Sequence, residues 1–110
     1  MPDMLKNLQA LLARGQDNAL LRFAVGSRLL ENDQAGPAIE HLRAAVQLDP
    51  EYSAAWKLLG KALHAAGEPQ QACTAFSQGL EVAQRKGDLQ AVREMQVFLK
   101  RAQKSLTRGD

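Results

Sequence analysis

Residues 56–79 read WKLLGKALHAAGEPQQACTAFSQG. Two helical patterns meet in this stretch at Gly67-Glu68-Pro69, and each carries a small residue where a helix ordinarily takes a larger one. Gly60 stands in the middle of the first pattern, where glycine costs about 1 kcal/mol relative to alanine. Close approach of a second helix is the simplest reason for keeping it. The same skeleton recurs 34 residues earlier, where Val25-Gly26, Leu29, Ala38, Leu42 and Ala45 occupy the places of Leu59-Gly60, Leu63, Ala72, Phe76 and Gly79. The stretch is therefore one copy of a repeat, and the rest of the chain is read outward from it.

Composition bounds the answer. A chain of 110 residues is one domain's worth. Hydrophobic residues at 45% and charged residues at 24% are the mix of a soluble globular domain, and abundant Ala and Leu with few β-branched residues favour helices over strands. The net charge of +2 is too small to imply nucleic acid by itself. It is unevenly spread: from Val82 onward seven Lys or Arg face three acidic residues, whereas Met1 to Glu81 carries seven against nine. The single cysteine, Cys73, has no internal disulfide partner and no companion at metal-ligand spacing, which points to a reducing compartment. The amphipathic N-terminus MPDMLKNLQALLARG lacks the apolar run of a secretory leader, and no window approaches a membrane span. A cytoplasmic location is expected.

Helices follow one another along the chain. Asp3 caps a first helix with Met4, Leu5, Leu8, Leu11 and Leu12 at helical spacing, closed at Gly15. Asp17 or Asn18 caps a second helix to about Asn32, with Leu21, Val25, Gly26 and Leu29 inward and Phe23 and Leu30 on another side. After a turn at Asp33 to Gly36, Pro37 lies in the first turn of a third helix, whose stripe is Ile39, Leu42, Ala45 and Val46 and which ends at Asp49-Pro50. Ser53 is the expected cap of the fourth, which carries Trp56, Leu59, Gly60 and Leu63 to Gly67. Pro69 starts the fifth, with Ala72, Phe76, Gly79, Leu80 and Ala83. Gly87-Asp88 separates it from a last helix from Leu89 to about Leu106, with Ala91, Val92, Met95, Phe98, Leu99, Ala102 and Leu106 apolar; residues 107–110 are expected to fray.

A 34-residue helix-turn-helix period with these residues resembles the tetratricopeptide repeat (TPR) family over Ala19 to Lys86. Trp56, Leu59-Gly60, Leu63, Ala72 and Phe76 match the family's pattern in the second unit; Val25-Gly26, Leu29, Ala38, Leu42, Ala45 and Pro50 match it in the first. The resemblance implies an all-α fold, antiparallel helix-turn-helix repeats stacked as a short right-handed α-solenoid of about six helices. The expected organisation is a single domain over 1–110, with an N-terminal half-unit at 4–14, repeats at 19–52 and 53–86, and a C-terminal capping helix at 88–106. The half-unit reading rests on Met4, Leu8 and Leu11, which lie 34 residues before Ala38, Leu42 and Ala45. The capping reading rests on Gln96, which falls where the repeat has glycine once about two residues are inserted. The chain departs from the family at Arg22, where a large apolar residue is usual, at Gly79 for alanine, and at Gln84 for the inter-repeat proline, which lets the fifth helix run on to Arg85 or Lys86.

Catalysis is not expected, because nucleophile, base and polarising group do not converge. His41 and His64 lie on different repeats, Cys73 matches the variable Ile39, and no paired carboxylates or phosphate-binding glycine loop occurs. No cofactor and no metal site are expected. Binding is better supported. By resemblance to the family, the first helix of each repeat lines a concave groove, which carries over to Leu20, Phe23, Ser27, Leu30 and Glu31 and to Ala54, Lys57, Lys61, His64 and Ala65. Lys57, Lys61 and His64 at i, i+4, i+7 share a face able to pair with carboxylates of an acidic peptide or helix, though an ordinary solvated face would look the same. The asparagines with which chaperone-type relatives clamp a terminal carboxylate are replaced by Ser27 and Lys61, so that activity is not expected. The leading expectation is a cytoplasmic bacterial scaffold that binds another protein, without membrane or nucleic-acid partner. Two alternatives stand beside it: self-association through an end helix, with Val97 in the contact, and nucleic-acid contact by the basic strip Arg93, Lys100, Arg101, Lys104 and Arg108, which lacks interleaved aromatics.

Overall fold

Helix ends follow from local chemistry in most places. The computed structural model describes residues 3–107, and among these it contains six helices: α1 Met4–Ala13, α2 Ala19–Glu31, α3 Ala35–Leu48, α4 Ser53–Ala65, α5 Pro69–Lys86 and α6 Leu89–Thr107. Asp3 caps α1 by accepting from Lys6 N at 3.3 Å. Asn18, rather than Asp17, caps α2, accepting from Leu21 N at 2.8 Å. Gly87 leaves α5 with φ of 72°, a left-handed turn that only glycine enters without strain, and Asp88 then accepts from Ala91 N to start α6. Ser53 departs from expectation. It is the first residue inside α4, Tyr52 holds the cap position without a side-chain bond, and the entry is instead held by Asp49, whose side chain accepts from Glu51 N at 3.1 Å. Of residues 107–110, expected to fray, Thr107 instead closes α6, its hydroxyl donating to the Lys104 carbonyl at 2.9 Å, and 108–110, Arg108 among them, lie outside the described residues.

Packing runs as a stack. α2 packs on α3 and α4 on α5, while α3 meets α4, α5 meets α6, and α1 meets α2 alone. The buried face of each inner helix carries most of the expected stripe: Leu21, Val25, Gly26 and Leu29 in α2; Leu42, Ala45 and Val46 in α3, with Ala38 buried and Ile39 only half-buried; Leu59, Gly60 and Leu63 in α4; Ala72, Phe76, Gly79 and Ala83 in α5, with Leu80 half-buried. In α6 only Met95 and Ala102 are fully buried, Ala91, Val92, Phe98 and Leu99 are half-buried, and Leu106 is 42% exposed.

The glycines mark where helices touch. A methyl group on Gly26 would meet Leu42 Cγ at 2.6 Å, and one on Gly60 would fall against the Phe76 ring. On Gly79 it would meet Met95 Sδ at 2.5 Å and Trp56 Cβ at 2.8 Å, which explains glycine where alanine is usual. Each glycine thus admits a large side chain from the neighbouring helix. Trp56 belongs to this packing and is half-buried; its indole N–H donates to the Pro50 carbonyl at 2.8 Å.

Two polar arrangements complete the frame. With Gln84 in place of proline α5 runs to Lys86, and Arg85 in that extension makes a two-bond pair with Glu51 at 2.7 and 3.0 Å. The Arg22 guanidinium grips the Asp17 carboxylate at 2.8 and 3.0 Å and approaches His41 Nδ1 at 3.1 Å. Arginine in the place of Trp56 therefore exchanges ring packing for a hydrogen-bonded link from α2 to His41 of α3, with its ionic contact going to Asp17 just before α2. Burial first, and the Arg22 charge second, hold the His41 pKa below its ordinary value. The unfolded chain then takes up this proton before the folded one, so stability is full above about pH 7 and declines as pH falls through about 6.5. Melting temperatures between pH 7.5 and 5.0 should fall in the native chain and fall less in His41→Gln; equal declines would show that His41 carries no such linkage.

Candidate functional site

α2, α4 and α6 come together on one side of the stack, with α4 in the middle. Between α2 and α4 a surface cavity of about 460 Å³ is lined by Ser27, Leu30, Glu31, Leu58, Lys61 and Ala65. Between α4 and α6 a second, of about 400 Å³, is lined by Lys61, His64, Ala65, Phe76, Phe98 and Arg101. Lys61 and Ala65 line both, so the two cavities lie side by side along α4 and are together termed its groove. The floor is apolar, made of Leu30, Leu58 and Phe98, and its α6 side is cationic.

The row Lys57, Lys61 and His64 runs along the side of α4 next to α6, with Lys57 and His64 half-buried and Lys61 exposed. Opposite it runs a matching row at the same helical spacing, Glu94, Phe98, Arg101 and Ser105. Lys57 Nζ lies 3.3 Å from Glu94 Oε1, and His64 Nε2 lies 3.0 Å from Ser105 Oγ. Lys61 Nζ stands 5.0 Å and Arg101 Cζ 5.6 Å from the centroid of the Phe98 ring, a cation on aromatic arrangement for both. The Phe98 ring is in turn stacked on Phe76, with centroids 5.8 Å apart. Among the described residues the ion pairs are Arg22 with Asp17, Arg28 with Glu31, Lys57 with Glu94 and Arg85 with Glu51. Lys61 and Arg101 belong to none of them, so their charge is turned toward the groove.

The remaining site residues divide between two places. Leu20 and Phe23 line a separate cavity between α1 and α2, shared with Ser27 and Glu31, and the Phe23 ring also packs on Tyr52 with centroids 4.9 Å apart. Ala54 lies with Lys57 and Glu94 at the other end of the α4 and α6 seam. Sequence reasoning missed Leu58, Phe98 and Arg101 as groove residues. Leu58 stands beside the buried Leu59 and off its stripe, a signal open to reading. Phe98 was counted with the buried set of α6, and nothing local distinguishes a ring under the core from one at its edge.

Cys73 is half-buried and burial pushes its thiol up, away from the thiolate a nucleophile needs. Among the described residues no three His, Cys, Asp or Glu side chains gather as metal ligands, and no helix is long and apolar enough to cross a membrane.

Comparison with known proteins accords with this geometry. A family model described as tetratricopeptide repeat matches residues 29–95. The chain is 49% identical over 104 residues to a TPR repeat-containing protein of Pseudomonas aeruginosa, covering 94% of this chain and 99% of that one. It is similar in structure to a protein of Bordetella parapertussis solved in solution, with a TM-score of 0.82 and 45% identity over 99% of this chain and 96% of that one. A tetratricopeptide repeat domain protein from Salinibacter ruber superposes with a TM-score of 0.71 at 27% identity, covering 78% of this chain and 97% of that one.

Proposed function

Because this chain belongs to the tetratricopeptide repeat family, whose repeats generally mediate protein–protein interaction, we propose that it is a non-enzymatic interaction module that takes an acidic segment of a partner protein into the groove over α4. The observation that carries this reading is that two adjacent cavities bring apolar Leu30, Leu58 and Phe98 beside Lys61 and Arg101, two cations without a carboxylate partner among the described residues. Apolar side chains of the partner would lie on the floor, and its carboxylates would meet the two cations at the rim of Phe98. The preformed stack limits the ordering cost of binding. We place the module in the cytoplasm, a reading supported by the lone cysteine.

The test begins with a partner captured from a bacterial lysate on the immobilised chain and then purified. Combined Lys61→Glu and Arg101→Glu should weaken its binding at least about tenfold, the equivalent of about 1.4 kcal/mol, while Gln78→Glu on α5 leaves it unchanged. Unaltered affinity in the double charge reversal would remove the groove from the interaction.

A further inference from the structure

α1 carries a row that in α3 and α5 is covered by a neighbouring helix and that among the described residues is left half-open. Met4, Leu8 and Leu11 correspond to Ala38, Leu42 and Ala45 of α3 and to Ala72, Phe76 and Gly79 of α5. In α3 and α5 these rows are closed by α2 and α4, leaving Ala38, Leu42, Ala45 and Ala72 at 0% exposure and Phe76 at 1%. In α1 no residue is fully buried, Met4 is 50% exposed, and Leu8 and Leu11 are only half-covered. The open side of the row forms with α2 a cavity of about 370 Å³, whose apolar wall is Met4, Leu8, Leu20, Phe23 and Ala24. Leu20 on that wall is 68% exposed.

We propose that this slot is filled by α1 of a second copy, in a two-fold dimer. Paired helices joined by short turns, such as α2 and α3, run antiparallel, and a two-fold axis across α1 sets its symmetry mate antiparallel in the same way. Each α1 then serves as the missing neighbour of the other. The charges agree with this orientation. Asp3 stands at the start of α1 and Arg14 just past its end, both exposed. An antiparallel overlap centred near Leu8 brings Asp3 of each copy beside Arg14 of the other, at both ends of the contact.

The opposite end of the stack does not suit a second copy. The outward face of α6 carries Arg93, Lys100 and Lys104 around the 48%-exposed Val97, so a two-fold contact there would set like charges together. Gln96 also occupies the place that the repeat gives to glycine, so no helix can approach as α5 approaches Gly60. Self-association is therefore assigned to α1 and not to Val97. A ten-residue helix is about 15 Å long, and with Leu20 beside it the contact lies in the low range of specific interfaces, below about 1,200 Å². The dimer is accordingly weak and reversible.

Sedimentation velocity from about 5 to about 500 µM tests this, since the apparent mass should rise from 12.0 kDa toward twice that value with concentration. Met4→Glu with Leu20→Glu changes only exposed positions; it should keep the helical signal and stay monomeric throughout. Arg14→Glu should weaken the dimer several-fold and Arg14→Lys should preserve it. A native chain that remains monomeric over the whole range, or a dimer that survives Met4→Glu with Leu20→Glu, or one that is abolished by Val97→Glu, overturns the assignment.

Discussion

Gly60→Leu is expected to lower the unfolding free energy by about 3 kcal/mol or more, at the upper end of what overpacking a close helix contact costs. The first added carbon alone would lie 2.6 Å from Phe76 Cδ1 and 2.7 Å from Phe76 Cζ. Phe76 can yield only by giving up its own packing, because it is 1% exposed and its ring is stacked on Phe98 at 5.8 Å. α4 and α5 would have to separate along their whole contact. Leucine favours helix over glycine by roughly 1 kcal/mol, which offsets only part of the loss. A drop in melting temperature on the order of 10 °C should be seen, because each kcal/mol shifts a domain of this size by about 4 °C or more. A variant melting within a degree or two of the native chain would mean that the two helices are not in contact at Gly60. Shrinking the partner provides a second check: Phe76→Leu should cost less in the presence of Gly60→Ala than alone, since neighbours that clash are coupled.

Phe76→Ala carries the second large effect, expected at about 3 to 5 kcal/mol. Phe76 is among the largest fully buried side chains, and its removal leaves a cavity between α4 and α5 that the neighbouring helices can fill only by moving. It also withdraws the ring on which Phe98 is stacked, and Phe98 in turn supports Lys61 and Arg101 at the groove. Loss of stability should therefore be accompanied by weaker binding of the partner under conditions where the variant is still folded. Phe76→Leu separates the two roles. Leu42 occupies the equivalent place opposite Gly26, so leucine fits the helix pair and should cost under about 1.5 kcal/mol, while still removing the aromatic support of Phe98. If Phe76→Ala unfolds no more readily than Phe76→Leu, the buried volume assigned to this ring is wrong. Domains of this size commonly have only about 5–15 kcal/mol in total, so either Gly60→Leu or Phe76→Ala removes a large fraction of it.

Both expectations rest on residues legible in the sequence, and the groove is legible only in part. Ser27, Leu30, Lys61, His64 and Ala65 line the two cavities beside α4. Lys57 is in the same row but is occupied by Glu94, and Leu20 and Phe23 open onto the α1 slot instead. The pairings of Arg22 with His41 and of Lys57 with Glu94 join positions 19 and 37 residues apart, and no spacing rule along one helix reaches that far.

What the sequence determined by itself is periodic and short-ranged. The 3.6-residue stripe sets which face of each helix is buried, the caps and the Gly67-Glu68-Pro69 turn set where most helices begin and end, and the echo of Gly60 at Gly26 sets which helices pair closely. What only the tertiary structure decided is how α6 lies across α4. That helix stands outside the 34-residue register, follows an α5 lengthened by Gln84, and departs through the left-handed turn at Gly87, so its direction depends on packing of Met95 against Gly79 rather than on any repeat. Its placement set Lys61 and His64 beside Phe98 and Arg101 along the groove and paired Lys57 with Glu94.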